Sequence, residues 1–262
     1  MNYNRKPGED TGSWYVADSS SIAMGLLATA VRCDGAQRQR YLDSVKSFAQ
    51  LVMDSYVGKA GGIRNGFWPQ YDGEWWCSSG IFGSLAFLLY DETGDKQYLK
   101  TALGTLRWLN ALDLTADQPY PLREMGPTMP MYVLEAYSAG LPHLKPGSPM
   151  HTDALAKISW ALDWMARNQG NPEAEKRWSL EKWGMKFGGL PFHMYVYSRC
   201  LPNGREISEA ADRQMRHLAA VLPGKKPELS QLAAFMMMSY AERLSPGTLY
   251  RTSRIAAGPT QR

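Results

Sequence analysis

Cysteine is scarce in this chain of 262 residues, with only Cys33, Cys77 and Cys200 present. An odd number without metal-ligand spacing supplies neither a disulfide framework nor a zinc site. Long apolar runs are missing too: the longest extend about ten residues, too short to span a bilayer. The opening residues, MNYNRKPGED, are polar and lack the apolar stretch of an export signal. Charge of one sign is nowhere concentrated. The 29 basic and 25 acidic residues leave a formal charge of +4, and basic clustering goes no further than pairs such as Lys225-Lys226. That spread argues against nucleic acid as a partner. Neither a membrane nor a cofactor is called for. The chain reads as cytoplasmic, or as secreted or periplasmic if an export signal has been removed. Strand signals are nearly absent, which leaves an all-α reading. Tryptophan and methionine, in contrast, are plentiful at nine and fourteen residues.

The stretch YDGEWWCSSGIFGSLAFLLYDETGDKQYL, from Tyr71 to Leu99, sets the pattern. A loop with two carboxylates and two adjacent tryptophans leads through Cys77-Ser78-Ser79, residues of the kind that cap helix N-termini. The following helix is apolar around nearly its whole circumference (Ile81, Phe82, Leu85, Ala86, Leu88, Leu89), as expected of a helix buried on all sides. Thr93-Gly94-Asp95 ends it, and an amphipathic covering helix begins at once. An earlier pair has the same design. Asp18-Ser19-Ser20-Ser21 precedes a helix through IAMGLLATAV, Asp34-Gly35 breaks it, and a second helix covers roughly residues 37–57. Ser19-Ser20-Ser21-Ile22 falls on Ser78-Ser79-Gly80-Ile81 at an offset of 59, and Tyr41-Leu42 on Tyr98-Leu99 at 57. This is an internal repeat.

Later segments keep the rhythm more loosely. Residues 130–141 and 152–169 form a third pair, a fourth starts near Phe192 with its partner over 206–221, and 228–244 is a ninth helix. Residues 1–12 are expected to be a flexible lead-in and 253–262 a flexible tail. Gly-Gly and Asn-Gly pairs between 58 and 76 predict a tight hairpin or an ordered loop. Solenoid repeats run about 33–47 residues with short turns. Here the period is longer, and the extra length sits in loops before the buried helices, which suits the walls of a pocket. The expected fold is a single α/α-toroid domain of four to five helical hairpins.

The segment WWCSSGIFGSLAFLLYDETGDKQYLKTA resembles the aromatic–x–Ser-Gly–x–Phe-x-Gly–x–Leu…Tyr-x-x-Thr-Gly-Asp…Tyr-Leu pattern of six-hairpin glycosidases, especially the unsaturated glucuronyl hydrolase group. The resemblance implies a toroid of helical hairpins, though four and a half are visible where six are expected. It also implies hydrolysis of acidic or unsaturated oligosaccharides by carboxylates. Other toroid enzymes that act on uronic-acid polymers include polysaccharide lyases and the helical domain of glucuronyl C5-epimerases.

If the buried helices run parallel, their N-termini gather at one mouth that favours anions. The loops feeding it carry Trp14, Trp68, Trp75, Trp76 and Trp183, whose rings suit sugar C–H faces. Glycosidic cleavage needs an acid and a base or nucleophile, commonly two carboxyls. The candidates are Glu74, Asp18, Asp72 and Glu124. Glu74 stands between Gly73 and the tryptophans, where an apolar surround would favour its acid form. Helix capping competes for Asp18, a turn role for Asp72, and an ion pair with Arg123 for Glu124. His193 with Tyr195 would suit proton transfer at a uronate C5, with Arg64 or Arg123 neutralising the carboxylate; a core histidine is the plainer alternative. Cys77 reads as a packing residue. Met236-Met237-Met238 reads as core filling or a homo-oligomer contact.

Three functions follow. The first is a glycoside hydrolase whose partner is an oligosaccharide or polysaccharide. The second is a lyase or epimerase using His193 and Tyr195. The third is a non-catalytic glycan-binding or helical interaction module. Terpene cyclase and lanthionine cyclase-like toroids are minor options, since neither an Asp-rich motif nor an adjoining Cys-His pair is present.

Overall fold

The computed structural model describes residues 15–66, 73–112, 128–168, 189–221 and 230–249. Among them every regular element is helical, and β-pairing is confined to isolated bridges. The helices are α1 (Val16–Ala30), α2 (Gly35–Ser55), α3 (Trp76–Thr93), α4 (Lys96–Ala111), α5 (Thr128–Gly140), α6 (Pro149–Asn168), α7 (Gly189–Ser198), α8 (Gly204–Val221) and α9 (Ser230–Leu244), with one tighter turn at Leu141–His143. The all-α expectation is met. Contacts divide the chain into two compact units, Met1–Leu112 with Glu135–Gly140, and Asp113–Leu134 with Leu141–Arg262.

In the first unit α3 is the buried helix. Trp76 and every residue from Ser78 to Leu89 are buried, as a helix apolar on all sides requires. Phe48 of α2 meets Phe82 edge-on at 6.4 Å. Gly83 and Gly140 admit close approach of α5 to α3: a Cβ on Gly83 would lie 3.5 Å from Ala136, and one on Gly140 2.8 Å from Phe87. The α3–α4 turn uses each residue of Thr93-Gly94-Asp95. Thr93 Oγ1 donates to Leu89 O at 2.6 Å, Gly94 takes the left-handed φ of 72°, and Asp95 accepts from the Gln97 N–H at 2.9 Å.

Two consecutive pairs of helices, α1 with α2 and α3 with α4, fall where the repeat was read. Val45, Ala49 and Val52 of α2 and Ala102, Leu106 and Leu109 of α4 are all buried, in keeping with the 57-residue offset of the covering helices. The first residues of the inner helices, Val16 and Trp76, stand 60 apart, against the 59 read from the serines. The serines misled because they are not caps. Ser20 Oγ donates to Val16 O at 2.6 Å and Ser21 Oγ to Ala17 O at 3.2 Å, both inside α1. One face of α1 is also open to solvent, with Ile22 44% exposed.

In the second unit all ten residues of α7 are buried, and α8 and α9 pack on it. Tyr197 donates to Leu134 O at 2.6 Å, and Gly189 abuts Met131, so α7 lies alongside the first half of α5. Arg199 pairs with the fully buried Glu242 at 2.7 Å, and the Gly247 N–H donates to the same carboxylate at 3.0 Å. Of the methionine triplet, Met236 is core and Met237 is 72% exposed. No helix among the described residues is long and apolar enough to cross a membrane.

Candidate functional site

The segment 56–66 joins the beginnings of α1 and α3. Its first part is the expected tight turn: the Gly58 N–H donates to Gly62 O at 2.8 Å and the Gly61 N–H to Gly58 O at 3.1 Å, below a bridge between Val57 and Ile63. The Asn65-Gly66 pair does something else. Asn65 O accepts from the Val16 N–H at 3.0 Å, and Gly66 bridges Tyr15, at the first turn of α1. Two residues earlier, Ile63 O accepts from the Trp75 N–H at 2.8 Å, while the Ile63 N–H donates to Ser79 Oγ at 2.8 Å. Ser78 Oγ reaches Asn65 Oδ1 at 3.4 Å. The strip Ile63–Gly66 is therefore pinned by hydrogen bonds to the N-termini of two packed helices, which begin at one end of the unit.

Asp18 and Glu74 both belong to this end. Asp18 is half-buried in the first turn of α1, three residues past its cap, and does not precede the helix. An acid there complements the helix dipole. Glu74 accepts from the Ala60 N–H at 2.8 Å, and a Cβ on Gly58 would lie 1.9 Å from its Oε1. Its side chain thus fills the space that Gly58 and Gly62 leave in the turn, the carboxylate at Gly58 and the Cβ at Gly62. Arg64 bridges Glu74 through the backbone, while its guanidinium donates to Ser55 O and lies 5.7 Å from the Tyr56 ring centre. Trp75 is half-buried and stacks on Trp76 at 5.9 Å; Trp76 is itself only 1% exposed, so its ring is core. Cys77 lies in the same first turn, half-buried.

His193 and Tyr195 belong to the second unit. His193 is 1% exposed, edge-on to Phe192 at 5.1 Å and stacked with Tyr197 at 6.2 Å. The Tyr195 hydroxyl donates to Asp212 Oδ1 at 2.7 Å. Burial, reinforced by that carboxylate, pushes its phenol well above the usual tyrosine range. The site calls Asp72, Glu124, Trp14, Trp68 and Trp183, with Arg123, lie outside the described residues. No protein-family model, curated protein or solved structure matches this chain.

Two clefts lie away from these residues. One, of about 690 Å³, runs along the outer face of α2 by Arg40 and Asp43. The other, of about 420 Å³, is a polar groove between α6 and α8 lined by Asp163, Arg167, Glu206 and Arg213. Among the described residues no group of three or more His, Cys, Asp or Glu is placed to hold a metal ion. The sequence reading overlooked Asn65, because Asn-Gly is a common turn signal. Its clue was a polar residue kept between two apolar-helix starts, where backbone donors need acceptors.

Proposed function

We propose that this chain is a carbohydrate-active enzyme of glycoside hydrolase type, acting on acidic or unsaturated oligosaccharides at the end of the first unit where α1 and α3 begin. One observation carries the reading: the strip Ile63–Gly66 is hydrogen-bonded to both helix starts, so two helix N-termini, Asp18 and Trp75 share one end. Residues 14 and 67–72, which include Trp14, Trp68 and Asp72, are joined directly to that platform in the chain. An aromatic surface beside carboxylates suits a sugar ring held for protonation of its glycosidic oxygen. Because Glu74 already serves the Gly58–Gly62 turn, Asp18 and Asp72 are the preferred acid and base.

The lyase or epimerase reading has less support, since His193 and Tyr195 are both buried and the tyrosine hydroxyl is engaged by Asp212. A glycan-binding module without catalysis is favoured by the engagement of Glu74, which removes one loop acid from the pool.

The test is turnover of oligosaccharides ending in an unsaturated uronate, followed by loss of the ultraviolet absorbance of the ring double bond. Asp18→Asn and Asp72→Asn should each lower kcat by about 10²–10⁴-fold with sugar binding retained. Binding without any turnover by the unaltered chain would assign the module instead. Turnover that survives both substitutions would remove the carboxylate mechanism.

A further inference from the structure

The Asn65-Gly66 pair carries a reactivity of its own. In an open chain, the backbone nitrogen that follows an asparagine attacks the side-chain amide carbon, and glycine has no side chain to obstruct the attack. The Gly66 nitrogen would bond to Asn65 Cγ, and the side-chain nitrogen would leave as ammonia with the Gly66 proton. Water then opens the resulting cyclic imide at either carbonyl, leaving isoaspartate or aspartate at position 65.

The fold requires this pair and also restrains it. Gly66 has a φ of 124°, a conformation that L side chains rarely adopt, so the backbone demands the glycine. Against the reaction stand three contacts. Asn65 O accepts from the Val16 N–H at 3.0 Å, Gly66 bridges Tyr15, and the Ser78 hydroxyl donates to Asn65 Oδ1 at 3.4 Å, in a residue only 5% exposed. The Asn65 carbonyl and the Gly66 nitrogen share one peptide plane. Turning that nitrogen onto Cγ therefore swings the carbonyl off the Val16 N–H, and the attack cannot proceed while α1 is attached to the strip.

We infer that Asn65-Gly66 is a deamidation site that the starts of α1 and α3 keep shut, so that isoaspartate at 65 marks chains in which the strip has opened. The reaction makes such an opening permanent. Isoaspartate routes the chain through the side-chain carbon, one carbon longer, and either product sets an anion in this buried place. A second pair, Asn203-Gly204, is an internal reference. It is half-buried at the start of α8, where the Gly204 N–H donates to Leu201 O at 3.2 Å and Asn203 O accepts from the Ile207 N–H at 3.3 Å, bonds that lie within the second unit.

The full chain, incubated folded or in urea at mildly alkaline pH, tests the site, with both Asn-Gly peptides followed by mass spectrometry and isoaspartate identified by enzymatic methylation. Residue 65 should convert at least about tenfold more slowly in the folded chain than in urea, because only the opened fraction reacts. Val16→Pro deletes the N–H that holds Asn65 O, at a first helical position that proline suits, behind a Tyr15 already extended at φ −105° and ψ 128°. Combined with Ser78→Ala, it should raise conversion at 65 several-fold in the folded protein and leave 203 unchanged. If that variant does not fold, judged by circular dichroism, the folded and urea rates of the unaltered chain decide. Equal rates folded and in urea, or no conversion in urea, overturn the site. A folded variant that converts no faster at 65, or equally faster at 203, overturns the restraint by α1 and α3.

Discussion

Gly58 and Glu74 form a complementary pair at the residue scale. A Cβ on Gly58 would come within 1.9 Å of Glu74 Oε1 and 2.2 Å of its Cγ, so alanine there must displace the carboxylate from the Ala60 N–H. Gly58→Ala is expected to lower stability by about 1–3 kcal/mol, as overpacking does. Glu74→Ala removes both the acceptor and the obstruction. The double substitution should therefore cost clearly less than the two single costs added, a coupling that a double-mutant cycle on thermal unfolding would measure. Strict additivity would mean the turn does not depend on the glutamate. Glu74→Gln keeps an oxygen for Ala60 and should change stability by less than about 1 kcal/mol. Gly62 faces the same constraint from another side, since its Cβ would meet the Trp108 ring at 2.6 Å.

At the scale of elements, α7, α8 and α9 are tied by charge as well as by packing. Asp212 of α8 accepts from Tyr195 of α7 at 2.7 Å and from Arg243 of α9 at 2.6 and 3.1 Å. The hydrogen bond from Arg243, helped by that of Tyr195, holds the Asp212 carboxyl below the usual carboxylate range. A carboxyl with a depressed folded pKa contributes stability that is present above its unfolded value of about 3.9 and is lost as pH falls through the folded value. Asp212→Asn should thus cost about 2 kcal/mol at neutral pH. It should also flatten the decline in stability below about pH 4, read from unfolding midpoints across an acid series. An unchanged acid slope would remove Asp212 as a source of that dependence. Glu242 is the harsher site. It is fully buried against Arg199, and Glu242→Gln strips the guanidinium of its counter-charge. Loss of one partner of a buried pair costs about 3–5 kcal/mol, and a midpoint shift smaller than that of Asp212→Asn would contradict it.

For the molecule as a whole, the division of α5 matters. Its residues from Glu135 to Gly140 belong to the first unit, where Tyr137 donates to Asn110 and Gly140 lies against Phe87 and Leu106. The α3 core is therefore incomplete at Leu112. A fragment of residues 1–140 should unfold cooperatively with α3 amides protected from exchange. A fragment of residues 1–112 uncovers Phe87 and Leu106, each worth about 1.5–3 kcal/mol when buried, and should lose that protection. Equal protection in both fragments would show that α5 adds nothing to the first unit.

Among the described residues, the positions of the helices and the burial of α3 were legible in the sequence because they depend on local quantities. The all-round apolarity of residues 81–89, the Thr93-Gly94-Asp95 stop and the spacing of Val45, Ala49 and Val52 each act within a turn or two of helix. The caps were not legible. Serines at 19–21 and 78–79 have the chemistry of caps, yet α1 and α3 start earlier, at Val16 and Trp76, and the hydroxyls bond to carbonyls within the helix or to the strip before it. Asn65 and Glu74 gained their partners from residues up to 49 positions away, Val16 and Ser78 for the one and Gly58 and Ala60 for the other. Apolar periodicity thus specified which helices form and which are buried. Only the closing of hydrogen bonds between distant backbone groups determined which polar residues hold the helix starts together.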